Sequence, residues 1–141
     1  MIARSYDPKK LNRLVNHETI RPFVGGDITQ PLDLSAALEN PENVFLANEH
    51  GGFFFTWTAP DTYEVHTFIL PEGRGQHAVD LALEARDWME LHGADHIWTR
   101  VPKGRDNVRK LTVAAGFSPC GEQVLDLGGG PEAFDLYQWR L

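Results

Sequence analysis

Apolar residues follow two different spacings along the chain. The segments NVFLAN, GFFFTWTA and TYEVHTFIL are dense in apolar and β-branched residues and are separated by turn residues, which predicts three consecutive β-strands. From about Gln76 to His92 the apolar residues instead recur at helical spacing, and Gly93 is a plausible stop. The predicted inner face of this helix holds Ala78, Leu81, Ala82, Ala85, Trp88 or Met89, and His92.

The segments on either side complete the predicted order of elements. Before the three strands we expect a short strand near Ile2–Ser5, a helix capped by Asp7 and reaching about His17, and a short helix in DLSAALEN capped by Asp33 or Ser35. After the long helix come a strand in HIWTRV and a helix that Asp106 caps and that ends at Gly116. A Ser-Pro-Cys-Gly turn and a hairpin formed by QVLDL and AFDLYQWRL follow.

This order predicts an α/β fold. The central sheet should be mixed and mainly antiparallel, with helices on both faces and one parallel crossover from Tyr63 to Val101. The aromatic run Phe53–Phe55 with Trp57 is expected to pack on both faces of the sheet, and Trp98 and Phe117 are also expected in the core. No repeat or linker is visible, so residues 1–141 are expected to form a single domain.

Composition and charge exclude several classes of function. The 141 residues carry a formal net charge of −7 and the pI is about 5.3, which disfavours nucleic acid and anionic membranes as partners. The single cysteine, Cys120, allows no internal disulfide, and no segment resembles a secretion signal or a membrane span. We therefore expect a cytoplasmic protein. The histidines have no metal-ligand spacing, so no metal site is predicted.

A glycine-rich junction joins the third strand to the long helix. In LPEGRGQHA the strand ends at Pro71, and Gly73-Arg74-Gly75 leads into the helix. The start of a helix presents unpaired N–H groups and the positive end of the helix dipole, which suit an anion such as a phosphate. A turn that uses glycine for geometry alone explains the stretch equally well.

Two motifs in the second half of the chain resemble those of the GNAT superfamily of acyl-CoA-dependent N-acetyltransferases. FILPEGRGQHA followed by a long helix resembles motif A, and NVRKLTVAAGF resembles motif B. The resemblance covers roughly residues 44–141 and implies a GNAT-like fold with acetyl-CoA as cosubstrate. Small GNAT-like proteins are also encoded by phages, so the resemblance leaves the acceptor open.

The resemblance assigns a coenzyme site residue by residue. It implies that the diphosphate of the coenzyme binds backbone N–H groups of Arg74, Gly75, Gln76, His77, Ala78 and Val79. It implies that the pantetheine arm pairs with the strand at about Phe68, Ile69 and Leu70, with Asn107 beside it.

Three residues depart from the family's pattern. His77 and Val79 stand where the pattern has small residues, and their β-carbons limit how closely a diphosphate approaches. Thr112 stands where many members have a tyrosine that protonates the leaving thiolate, and a threonine hydroxyl is too weak an acid for that step. The coenzyme site is therefore better supported than the full catalytic machinery.

Glu64 and His66 are the candidate catalytic residues. The strand period of two places both on one face with Phe68 and Leu70, and some members of the superfamily use a strand glutamate near this position as a base. Acyl transfer to an amine needs a base that removes a proton from the ammonium group. A polar pair that only stabilises the sheet is an equally good interpretation.

The loop NHETIRPFVGG provides candidate substrate contacts. In a GNAT fold it would overhang the acceptor cleft, which makes Asn16, His17 and Arg21 candidates, although an ordinary surface loop fits the sequence as well. The prediction is an N-acyltransferase, a monomer or homodimer, that acts by direct attack of an amine on acetyl-CoA. Cys120 lacks an evident base for a covalent route. The alternative is an inactive GNAT-fold protein that senses acyl-CoA or binds a partner protein.

Overall fold

A seven-stranded mixed sheet forms the centre of the molecule in the computed structural model, which describes residues 1–141. The strands are β1 (Ala3–Arg4), β2 (Val44–Asn48), β3 (Gly51–Ala59), β4 (Thr62–Ile69), β5 (His96–Pro102), β6 (Ser118–Asp126) and β7 (Pro131–Arg140). They are ordered β1-β2-β3-β4-β5-β7-β6, and every neighbouring pair is antiparallel except β4 and β5. The predicted fold class and the parallel crossover are confirmed.

Four helices cover the sheet on both faces. They are α1 (Pro8–Val15), α2 (Ser35–Glu39), α3 (Gln76–Leu91) and α4 (Asp106–Ala114), with 3₁₀ turns at Arg21–Phe23 and Pro71–Gly73. None of these helices is long and apolar enough to cross a membrane.

Short polar side chains fix where the helices begin. The carboxylate of Asp7 accepts the amide of Lys9 at the start of α1, as predicted. The N-cap of α2 is Leu34 and not the predicted Asp33 or Ser35, although the Asp33 carboxylate accepts the amide of Ser35, the first helical residue. The predicted capping role of Asp106 is wrong. It is the first residue of α4, and its carboxylate accepts a bond from the Arg109 side chain instead.

The core is divided by the sheet into two clusters of apolar side chains. On β4, Val65 and Ile69 pack towards α3 and α4, while Phe68 packs towards α1 and α2 together with Phe45 of β2. The cluster beneath α1 and α2 contains no residue of β5, β6 or β7. The half of the sheet formed by β5, β6 and β7 is therefore more open on the α1 side. Polar residues of β4 and β5 line this open region.

Several local predictions need correction. Trp57 is 40% exposed and Trp98 is half-buried, because Trp57 lines an open cavity and Trp98 lies on the open half of the α1 side. Cys120 belongs to strand β6, where a register shift against β7 falls between Pro119 and Gly121, so the predicted turn is absent.

Candidate active site

Strands β4 and β5 separate from each other partway along their length. They pair only from Thr62 to Glu64 on β4 and from His96 to Trp98 on β5. Both strands then continue, and one side-chain bond at the vertex of the gap joins Thr99 Oγ1 to the carbonyl of Val65 at 3.0 Å. The result is a V-shaped gap between the carboxyl-terminal halves of the two strands.

Backbone groups of β4 face this gap without a strand partner. The amide of Leu70 donates to the carbonyl of His50 at 2.9 Å, so the even-numbered residues of β4 point their amides and carbonyls at β3. Alternation directs those of Thr67 and Ile69 into the gap, where the Arg74 side chain reaches the Ile69 carbonyl at 3.4 Å. Of the three residues predicted to pair with the pantetheine arm, only Ile69 turns its backbone groups into the gap, whereas those of Phe68 and Leu70 face β3. The backbone groups of Thr67, which sequence reasoning did not single out, also face the gap.

Three amide groups at the start of α3 are also without an acceptor. Those of Gly75, Gln76 and His77 donate to no group in the protein. The other predicted donors are engaged: the Arg74 amide bonds to Pro71, and the amides of Ala78 and Val79 both bond to the carbonyl of Gly75. The free amides thus form a compact set at the positive end of a sixteen-residue helix, a suitable place for an anion.

Two glycines make this corner possible. Gly75 has φ +80° and ψ −139°, a backbone conformation that side-chain-bearing residues avoid. A β-carbon on Gly73 would lie 2.6 Å from the β-carbon of His50, so only glycine fits beneath the β2–β3 turn. The side chains of His77 and Asn107 are exposed.

Two arginines, Arg74 and Arg105, lie near these amides. Arg105, just before α4, stacks on the ring of Phe23 at 3.7 Å from guanidinium carbon to ring centroid. Burial lowers the pKa of Arg105, nearby Glu132 opposes that shift, and the charge of Arg74 adds to it. The carboxylates of Glu72 and Asp106 also lie within two residues of these arginines along the chain, so this end of β4 carries charges of both signs.

Glu64 and His66 meet at the vertex of the V-shaped gap. His66 Nε2 lies 3.7 Å from Glu64 Oε1 and 3.2 Å from the hydroxyl of Thr56. On the other side, Arg100 Nη1 donates to Glu64 Oε2 at 2.8 Å, and Arg100 Nε donates to Gln123. The expected pairing of Glu64 and His66 on one face is present. Sequence reasoning did not anticipate Arg100 as the partner of Glu64.

Burial dominates the electrostatics of the two candidate bases. Burial raises the pKa of Glu64, and the charge of Arg100 opposes that shift. Burial, together with the charge of Arg100, lowers the pKa of His66 to about 4, so the imidazole is neutral at pH 7. The vertex therefore holds a carboxylate with enhanced basicity next to a neutral imidazole.

The loop after α1 uses its polar side chains to hold itself together. The Arg21 guanidinium is buried and donates to backbone carbonyls of Val24, Asp27 and Gln30 at 2.6–3.0 Å. The Asn16 side chain exchanges two bonds of 2.7 Å with the backbone of Leu32.

These bonds within the loop bear on the three predicted substrate contacts, Asn16, His17 and Arg21. Arg21 and Asn16 have their polar groups engaged within the loop. His17 bonds to Thr19 through Nδ1, which leaves its Nε2 free, so His17 stays a predicted substrate contact.

The fold was compared with known proteins. No protein-family model and no curated protein sequence matches the chain. Among solved structures, ribosomal-protein-alanine N-acetyltransferase from Brucella melitensis is similar with a TM-score of 0.78 and 16% identity, over 100% of this chain and 99% of that one. YncA from Salmonella typhimurium, solved with its cofactor acetyl-CoA, is similar with a TM-score of 0.78 and 15% identity, over 100% and 93% of the two chains.

A third structure gives the same result. A variant of the spermidine N-acetyltransferase SpeG from Vibrio cholerae is similar with a TM-score of 0.77 and 14% identity, over 99% of this chain and 94% of that one. The chain has the GNAT acetyltransferase fold.

The departure from the GNAT pattern at Thr112 has a structural counterpart. Thr112 is buried on α4, and its hydroxyl donates to the carbonyl of Val108 one turn earlier at 2.8 Å. That bond uses the only proton the side chain has. Thr112 therefore offers no proton to a leaving group, whichever ligand occupies the gap.

Proposed function

We propose that this protein is an acyl-CoA-dependent N-acyltransferase that moves an acetyl group from acetyl-CoA to an amine by direct attack. One observation carries the proposal. The unpaired edge of β4 at Thr67 and Ile69 leads to the unpaired amides of Gly75, Gln76 and His77. This row of hydrogen-bonding groups, which is interrupted from Leu70 to Arg74 because the amides of both residues are engaged, suits a ligand that has an amide-containing arm and a diphosphate.

Each part of the row would bind a different part of the cosubstrate. The gap edge would pair with the amides of the pantetheine arm as an additional strand does. The α3 amides would bind the diphosphate, with Arg74 and Arg105 supplying charge. The thioester would then lie towards the vertex of the gap, near Glu64.

The proposed chemistry needs one base and one leaving-group proton. Glu64 accepts a proton from the acceptor's ammonium group, and the neutral amine attacks the thioester carbonyl carbon. The carbon–sulfur bond breaks as the amide forms, the attacking nitrogen releases its second proton to water, and the thiolate takes up a proton from water. His66, neutral at pH 7, orients the carboxylate or the water that relays the proton.

The acceptor can be identified by testing a panel of amines for turnover. The acetyltransferases with similar structures are named for a ribosomal-protein alanine and for spermidine. A panel should therefore contain peptides with a free α-amine, polyamines, amino acids and aminoglycosides. Thiol release from acetyl-CoA reports turnover, and calorimetry reports coenzyme A binding. Absence of binding at millimolar coenzyme A would contradict the proposal.

One observation favours a different function. The hydroxyl of Thr112 is bound within α4 and cannot protonate a leaving thiolate, which favours a non-catalytic acyl-CoA sensor. Tight coenzyme A binding with no turnover on any amine would support this alternative. A large loss of turnover in the Glu64→Gln variant would exclude it.

A further inference from the structure

A cavity separate from the V-shaped gap lies at the end of the sheet opposite to the start of α3. It has a volume of about 460 Å³ and opens between the β3–β4 turn and the carboxyl-terminal end of α3. Trp57 of β3, Tyr63 of β4 and Trp88 of α3 line it, and Met89 is buried among its lining residues. Cavities of this size hold small organic molecules.

The aromatic rings of this cavity are fixed in place by neighbouring groups. Trp57 and Tyr63 are directly paired across β3 and β4, so their rings stand side by side on one face. Trp88 stacks on His92 with 3.6 Å between ring centroids, and His92 Nδ1 lies 2.7 Å from the Trp88 carbonyl. Trp57 nevertheless stays 40% exposed, which leaves a large aromatic surface free for a ligand.

The charges around the rings are mainly negative. Glu42 and Asp61 line the cavity, and after burial their charges are the causes that raise the pKa of Tyr63. Arg4 also lines the cavity, but its guanidinium donates to the carbonyl of Asn43 at 3.3 Å and lies 4.7 Å above the ring of Tyr6. Two carboxylates thus line the cavity against one guanidinium, whose charge opposes theirs at Tyr63.

We propose that this cavity binds a small organic ammonium ion. The negative faces of Trp57, Tyr63 and Trp88 attract a cation with an apolar surface, and quaternary ammonium groups are bound in this way by aromatic rings. Glu42 and Asp61 balance its charge. The site is separate from the V-shaped gap, because Tyr63 and Glu64 are consecutive on β4 and point to opposite faces.

Choline and its neutral isostere 3,3-dimethylbutan-1-ol test the proposal on the intact protein. Both have the same shape, and only choline carries a charge. We expect choline to change the tryptophan fluorescence in a saturable way at millimolar concentration and the isostere to bind at least about tenfold more weakly. Equal binding of the two probes, or no saturable binding of choline, would overturn the proposal.

Variants assign the binding to this cavity. The pair Glu42→Gln and Asp61→Asn removes both carboxylates, and asparagine accepts the φ of +55° at position 61. We expect choline binding to weaken about fivefold. The control pair Glu18→Gln and Glu84→Gln removes the same charge from exposed positions outside the cavity and should leave binding unchanged.

A ring-removing variant gives an independent measurement. Trp57→Leu leaves both carboxylates in place and removes one aromatic face from a residue that belongs to neither core cluster. Choline binding, followed by calorimetry, should fall several-fold while binding of the isostere changes little. An unchanged choline affinity in this variant would contradict the proposal, even if the carboxylate variant failed to fold.

Discussion

Replacing Gly75 with alanine tests whether the corner before α3 binds the coenzyme. A β-carbon at this position would meet nothing within 4 Å, so the substitution adds no clash, and its whole cost comes from the backbone at φ +80° and ψ −139°. Such a conformation costs about 1–3 kcal/mol for a residue with a side chain. The chain would either keep the strained corner or relax it and displace the free amides of Gly75, Gln76 and His77.

The two outcomes are measured separately. If the corner keeps its shape, the melting temperature should fall by about 3–10 °C. If the corner relaxes, coenzyme A binding should weaken about tenfold, which corresponds to about 1.4 kcal/mol. We expect relaxation to dominate, because the start of α3 is exposed and little packing holds it. Thermal melts and calorimetry with coenzyme A distinguish these outcomes.

Gly93→Ala provides a matched control. Gly93 has φ +98°, and a β-carbon there would also meet nothing within 4 Å, but it follows the far end of α3. It should lower stability and leave coenzyme A binding unchanged. Unaltered coenzyme binding in the Gly75→Ala variant, or an equal loss in the control, would refute our assignment of the corner as the diphosphate site.

Three further predictions concern single side chains. Glu64→Gln should reduce turnover at least about tenfold in steady-state assays without changing coenzyme A affinity. Because burial raises the pKa of Glu64, the carboxylate gains its proton at a higher pH than an ordinary glutamate. In a pH profile, kcat/KM should therefore fall on acidification with an apparent pKa above that of a free glutamate, and a flat profile would count against Glu64 as the base. Arg21→Met should lower the free energy of unfolding by about 1.5–3 kcal/mol in urea titrations, since it removes the guanidinium that bonds the loop carbonyls of Val24, Asp27 and Gln30. Arg13→Met, at an exposed position, should have little effect.

The sequence predicted the elements well because its patterns are local. The helical spacing from Gln76 to His92 and the dense strands around Phe54 each reflect burial on one side or both, which periodicity records directly. The cap at Asp7 also depends only on adjacent residues. Where a prediction depended on distant packing, as for Trp57 and the strand that contains Cys120, it was wrong.

The residues of the candidate site could be predicted from the sequence only in part. Alternation along β4 placed Glu64 and His66 together, but the partner of Glu64 is Arg100, 36 residues further along and on another strand. No spacing rule links the two. Arg21 was predicted to contact substrate because it is a charged residue in a loop, but burial and three backbone carbonyls give it a structural role.

By itself, the sequence determined the order of strands and helices, the glycine corner and the face of β4 that carries the acid and the imidazole. Only the tertiary structure decided which amides are free and how far β4 and β5 stay paired. The physical reason is that a hydrogen-bonding group is free or engaged according to its spatial neighbours. Those neighbours are set by the packing of the whole sheet, which local sequence does not encode.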